Sequence, residues 1–550
     1  MNTIITIYRN VNILLKKGIN MEFIIAKNKI NEPLLEPDKI EIINDQFEIW
    51  YYDDDRLPPI SVGVNSYSGI PKCLAMIGTE GLEKSGVFRL QNEFNPGLFG
   101  NGVYVAVIDT GVNFALPSFI RNNGTSKVAV LWDQENEQVY DNSQINAAIR
   151  TDDPYEIIPA QDEDGHGTFI AGIICGQENR ENDFTGIAPE AQLIVVKLKP
   201  AEKELKDFFF IPDEKLVFSE ADIMRGIAFA ERYASQNNRP MVVCLALGCN
   251  NGSHNGTENL CEYIDGITSE RGRTVVVGAG NEANARHHYQ GSTTAKPADV
   301  EINVEKDMRG MYVECWSLAP ELFTISIISP GGQSNPAGIP VQPQSGNYDF
   351  LLEGTKVTID YSLTGRSSRD LLAFIRMENV VKGVWTIRFY PVKTINGIFH
   401  LWLPMNNMLE GDVTFIVSDP QTTITMPSDA KAVITAGGYN SINDSIYIES
   451  GRGFDSNGFY KPDLAAPAVN ISGVDTRGNY ILSSGTSAAA AITAGVCALG
   501  LELFTNRILE DSTNGLDIKN ALIRDCRRKD GTDYPNKTTG YGYLNGIANL

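Results

Sequence analysis

The chain has no uninterrupted apolar run approaching eighteen residues, so composition nominates no transmembrane helix. Its first residues, MNTIITIYRNVNILLKKGIN, lack a continuous apolar core behind their positive charges and lack a small-residue cleavage site. No signal peptide is evident, and synthesis in the cytoplasm is the expectation. Positive charge is scarce: 46 Lys and Arg stand against 68 Asp and Glu, a net charge of −22. Polyanionic partners, nucleic acid and anionic membrane surfaces alike, would be repelled. Cysteine is sparse and unpatterned. Cys73, Cys175, Cys244, Cys249, Cys261, Cys315, Cys497 and Cys526 show no CxxC or zinc-type spacing, and read as small buried hydrophobes made in a reducing compartment. Internal repeats and low-complexity tracts are also missing.

What is present falls into four textures. Up to about residue 78, short β-like runs (EFIIAKNKI, DQFEIWYYDDD, ISVGVNSY) suggest a small α+β unit. From 79 to 300, Val/Ile-rich runs such as GVYVAVIDTG, AQLIVVKL, PMVVCLALG and GRTVVVGAGN alternate with amphipathic segments such as SEADIMRGIAFAERYASQNN. That alternation predicts buried parallel strands in an α/β fold. From 301 to 419 the helical pattern gives way to close-set period-2 strands (MYVECWSL, TKVTIDYSL, GVWTIRFYPV), which predict an antiparallel β-sandwich. From 420 to 550 the α/β texture returns, so the sandwich reads as an insertion into one α/β domain.

Four polar constellations in the α/β parts are not required by packing. Asp109 ends the buried run VYVAVID, where ligands sit in open α/β sheets; capping of the next turn is the competing reading. The glycines of GNG (Gly100 to Gly102) precede that strand, whereas phosphate cradling needs them after it. His166 lies between two glycines in DEDGHGTFIAGII, unlike an ordinary core histidine. The nearby acids of TDDPYEIIPAQDED offer a cation site as an alternative, without EF-hand spacing. Asn281 ends TVVVGAGN and could present an amide to a developing oxyanion, or merely turn the chain. Ser487, in SSGTSAAAAITAGV, is either an N-cap or a nucleophile at a helix N-terminus. Independent caps need not occur in the order Asp, His, Asn, Ser, which is the order of the subtilisin triad and its oxyanion donor.

On VAVIDTGV, DGHGTFIAGII, VVGAGNE and SGTSAAAA, with GIAPEAQLIVVKL and KPDLAAPAVNI as framework, the chain resembles the subtilisin-like serine proteases, or subtilases (family S8). The resemblance implies a subtilisin-like, mostly parallel sheet flanked by helices. It implies Ser487 as nucleophile, His166 as general base and acid, Asp109 as its orienter and Asn281 as oxyanion donor. Leu247, Gly248, Gly278, Ala279 and Gly280 would line the substrate cleft and its first specificity pocket. No cofactor or metal is implied, and calcium finds no unambiguous ligand set. His254, His287, His288 and His400 receive no role.

From Asn281 to Ser487 is 206 residues. A minimal subtilase has about 66 there, so about 140 are inserted. A short prosegment and a sandwich at this point are most similar to the Csp germination proteases of spore-forming clostridia. That likeness implies a jelly-roll-like insert and a prosegment that the enzyme cuts near residues 77–81 and that can remain bound. It implies a protein substrate, the precursor of a spore-cortex lytic hydrolase, and carriage into the spore. The chain departs from the usual serine motif, with Ala488 where methionine is common and Ala491 where proline is common. Some Csp relatives are silent regulators or germinant sensors; this chain keeps Asp109, His166 and Ser487.

Overall fold

The computed structural model describes residues 19–27, 36–53, 60, 62, 66–76, 91, 97–337, 344–364, 370–504 and 513–547. The expected self-cleavage region, residues 77–81, lies outside the described residues, as does half of the ISVGVNSY run.

The centre is an eight-stranded sheet. Its strands run, in spatial order, Leu464–Pro467, Ile434–Tyr439, Arg273–Gly278, Met241–Leu245, Tyr104–Asp109, Gln192–Lys197, Val128–Asp133 and Gln138–Asp141. All neighbours pair in parallel except the last two. All but the edge strand Gln138–Asp141 are largely buried on both faces, and period-2 alternation divides their side chains between two cores. From the first strand, Tyr104, Ala106 and Ile108 enter one core, while Val105 and Val107 enter the other. The chain builds outward from this strand in both directions, so Asp109 stands at the carboxyl end of the strand where the order reverses.

Helices cover both faces. The amphipathic helices Glu220–Gln236 and Asn259–Ser269 pack in the first core. The helices His166–Cys175 and Thr486–Leu503 lie in the second. The Thr486–Leu503 helix is long and apolar enough to cross a membrane, yet all of it is buried inside the protein. Alanine and glycine let it pass this close to the sheet: a Cβ on Gly495 would stand 2.5 Å from Ile187 Cβ.

Two further units dock on this body. Strands Ile19–Ala26, Lys39–Ile42 and Phe47–Asp53 form an antiparallel sheet, with Phe47–Asp53 in the middle. This sheet packs on the Glu220–Gln236 side, where Arg225 meets Glu41 at 3.1 Å and Ser219 donates to Glu22. Between His288 and Phe415 the strands are antiparallel, in sheets of six and four strands around a separate core that includes Val313, Ile375 and Ile387. They begin at His288, before residue 301 where the sequence pattern sets the boundary.

Candidate active site

Asp109, His166 and Ser487 come from three elements and converge. His166 Nδ1 is 2.8 and 3.0 Å from the two Asp109 carboxylate oxygens, and His166 Nε2 is 3.2 Å from Ser487 Oγ. Asp109 is 1% exposed, and its Oδ1 also accepts the Thr110 N–H at 2.7 Å. A carboxylate held on one imidazole nitrogen fixes the tautomer that leaves the other nitrogen free to accept a proton from a hydroxyl.

Glycines make the convergence possible. Gly165 begins the histidine helix at φ +98°, a left-handed conformation that L side chains avoid. A Cβ on Gly167 would lie 2.1 Å from the Gly111 carbonyl oxygen, so only glycine lets the helix start against the aspartate strand. Of the acids in the stretch before it, Asp162 is buried, while Asp152, Asp153, Glu156, Glu163 and Asp164 are exposed. Asp162 accepts from the N–H groups of Gly165 and Thr168 and from the Thr168 hydroxyl, and Asp153 accepts from Tyr155 N–H. Burial pushes the Asp164 carboxyl up from its usual range, against the opposing pull of His166 beside it.

The serine helix removes the capping reading of Ser487. Its N-cap is Gly485, with no side-chain cap, and Ser487 is the second helical residue. The serine therefore does not cap the helix. It sits where the first backbone N–H groups lack intrahelical partners and the helix potential is positive. Its Oγ also lies 3.3 Å from the Ala246 carbonyl oxygen. Ala488 and Ala491 are fully buried in the second core.

Asn281 is oriented through Thr486. Its Oδ1 accepts from the Thr486 N–H and hydroxyl, both at 3.2 Å, and the same hydroxyl accepts the Gly280 N–H at 3.0 Å. With the amide oxygen engaged, the NH₂ is the free end, as an oxyanion donor requires. Thr486 was not singled out by sequence; its place immediately before the serine was the available signal.

Leu247–Gly248 lies beside the serine, and a segment of the chain itself already pairs with it. Cys73–Met76 runs antiparallel to Leu247–Gly248, with Met76 opposite Leu247 and Ala75 opposite Gly248. Its other edge pairs with Phe218–Ser219, making it the middle strand of three. The wall Gly278, Ala279 and Gly280 stands opposite, and a Cβ on Gly278 would come within 2.7 Å of the Thr486 carbonyl oxygen.

The tail before Cys73 is held by buried polar groups that sequence reading did not find. Lys72, fully buried, donates to the Tyr67 carbonyl at 2.9 Å and stands 3.9 and 3.7 Å from Glu220 and Glu258. The Tyr67 hydroxyl meets Glu314 of the six-stranded sheet, which also accepts from Asn251, Gly252 and Trp316. Burial raises the Glu314 and Glu220 carboxyls above their usual range.

The other histidines form a separate buried group. His254, His288 and His400 stack with Trp402, and His288 Nε2 is 3.0 Å from His400 Nδ1. Burial lowers His288 to about 3, and burial with the neighbouring histidines lowers His400 as well. His287 Nδ1 meets Glu282 at 2.5 Å. All four are buried, and the buried His287 Nε2 has no hydrogen-bond partner among the described residues. Among the described residues no three His, Cys, Asp or Glu side chains converge as metal ligands.

The solved structure of the Clostridium perfringens CspB protease is 29% identical, with a TM-score of 0.75 over 84% of this chain and 94% of that one. A thermostable alkaline protease of Halalkalibacterium halodurans is 26% identical over 267 residues, 48% of this chain and 56% of the relative. An intracellular serine protease of Paenibacillus polymyxa is 32% identical over 99 residues, 18% of this chain and 24% of that protein. The chain thus spans about half, or less, of the curated relatives it matches. The model of the subtilase family matches residues 100–332 and 410–542, which hold Asp109, His166, Asn281 and Ser487. The chain belongs to the subtilase family.

Proposed function

We propose that the protein is a serine endopeptidase that cuts its own N-terminal prosegment and then activates a protein precursor by limited proteolysis. The observation that carries the reading is the strand Cys73–Met76. It lies along Leu247–Gly248 as an extended peptide substrate would, next to a serine in hydrogen-bonding reach of a histidine. Strand addition of this kind supplies main-chain affinity and presents one peptide bond to the nucleophile.

In this reading Ser487 attacks the scissile carbonyl as His166 takes its proton. Asp109 stabilises the imidazolium, and the Asn281 amide with the Ser487 N–H holds the oxyanion. His166 then protonates the leaving amine, and water repeats the sequence to release the acyl group. The cut prosegment is a candidate lasting partner, since Lys72 and Tyr67 anchor its tail within the protein.

The likeness to CspB, at 29% identity, supports a Csp-type assignment in which the antiparallel sheets of residues 288–415 are an inserted jelly-roll domain. The precursor is then a spore-cortex lytic hydrolase, and the place of action the spore. Incubating the enzyme with such a precursor should give a single shortened product. A preparation that labels with a fluorophosphonate but leaves the precursor intact would exclude that substrate.

A further inference from the structure

Two carbonyl oxygens face the two ring nitrogens of one buried histidine. His254 Nδ1 is 2.7 Å from the Ile424 carbonyl oxygen, and His254 Nε2 is 3.1 Å from the Asn250 carbonyl oxygen. A carbonyl only accepts, and a neutral imidazole has one donor nitrogen and one lone pair. Both contacts are hydrogen bonds only when both nitrogens carry protons, which gives the ring a positive charge. The ring is 1% exposed. It lies on the Trp402 indole with centroids 4.1 Å apart and planes 10° from parallel, a placement that favours a cation.

The titratable groups around the ring fit a single charge placed there. Burial pushes the Asp429 carboxyl up, and His254 draws it back down. His288 and His400, on the antiparallel sheets, are lowered first by burial, and His254 adds to the effect on both. The His254 backbone is left-handed at φ +53°, an uncommon conformation for a residue with a Cβ. Both of its hydrogen bonds lead to the segment that presents Asn281. The Asn250 amide donates to Glu282 Oε2 at 2.7 Å, and Glu282 follows Asn281 directly. Next to Ile424, Thr425 donates its N–H to the Ala279 carbonyl at 3.2 Å. Ala279 and Glu282 bracket the turn that aims the Asn281 amide.

Resting on the endopeptidase reading above, we propose that His254 is a buried imidazolium that positions the oxyanion donor Asn281 through Asn250 and Ile424. It is a positioning residue, because it acts on the oxyanion only through these neighbours. Hydrogen bonds from a charged donor are the strong ones, and here one ring holds two segments far apart in sequence. A neutral ring would turn a lone pair towards one of the two carbonyls and release the segment on that side.

The test uses the self-processed full-length enzyme, with competent sites counted by fluorophosphonate titration. A long-range proton–nitrogen NMR spectrum of protein carrying isotope-labelled histidine counts the ring protons. The His254 signals are assigned from their proximity to Ile424. At neutral pH both His254 nitrogens should carry a proton; a single ring proton overturns the proposal. His254→Phe keeps a ring on Trp402 but donates nothing. It should lower kcat on a peptide substrate by about tenfold, with KM within about twofold of wild type. In an Asn281→Ala background the same substitution should cost less than about twofold, because the group it positions is gone. Equal losses in the two backgrounds overturn the proposal, as does an effect confined to KM. If His254→Phe takes no label, the wild-type spectrum decides alone. A wild type that takes no label overturns the endopeptidase reading itself, and this inference with it.

Discussion

Replacing Gly278 by alanine perturbs the site without touching any reacting group. The added Cβ would sit 2.7 Å from the Thr486 carbonyl oxygen, where ordinary contact begins at 3.4 Å, so the start of the serine helix must retreat by about 0.7 Å. Ser487 is the next residue, and its Oγ is already 3.2 Å from His166 Nε2. A retreat of that size takes the pair beyond hydrogen-bonding range. Misplacement on the order of 1 Å costs about 10² in rate. The expected fold cost is that of modest overpacking, about 1–3 kcal/mol. The second-order rate of fluorophosphonate labelling reads the first effect, and a thermal melt reads the second. Gly266→Ala is the control, since a Cβ there meets nothing within 4 Å. A Gly278→Ala protein that melts normally and labels within about threefold of wild type would refute the reasoning.

Other outcomes follow from the same geometry. Asn281→Ala should lower kcat by about 10²–10³ with little change in KM. Thr486→Val, which removes the hydroxyl shared by Asn281 and Gly280, should lower it by about tenfold, and steady-state kinetics on a peptide substrate separates the two. His288 is held neutral, with its pKa lowered to about 3, so its contribution to stability is complete above about pH 6.5 and is lost as pH falls towards 3. Thermal melts across that window should fall more steeply for wild type than for His288→Phe. Lys72→Met leaves Glu220 and Glu258 buried without their cation, for a loss of about 3–5 kcal/mol, visible as a lowered melting temperature and as release of the cut prosegment on gel filtration. Met76 pairs with Leu247, which follows Ala246, whose carbonyl neighbours Ser487 Oγ, so self-cleavage is expected one residue beyond Met76. N-terminal sequencing of the self-processed chain should therefore begin at Gly78.

The convergence of the candidate residues was legible because each motif compresses a strand end, a turn glycine and a polar side chain into a few residues. VAVIDTG and DGHGT carry the glycines that bring Asp109 and His166 together, and their order along the chain supplied the rest. The central strands were legible as apolar runs because parallel strands are buried on both faces. Contacts between distant segments were not. Tyr67 and Glu314 are 247 residues apart, and Lys72 and Glu220 are 148 apart. A buried lysine or glutamate looks in sequence like any surface charge. Ser487 was the ambiguous case, because a cap and a nucleophile both precede an apolar helix, and backbone geometry removed only the cap, which is Gly485.

The central claim is that Ser487 is a nucleophile armed by His166. Mass spectrometry of the fluorophosphonate-treated chain tests it most directly. A single adduct on Ser487 is expected, which Ser487→Ala abolishes together with self-cleavage. Equal labelling of wild type and Ser487→Ala, or an adduct on another residue, would contradict it.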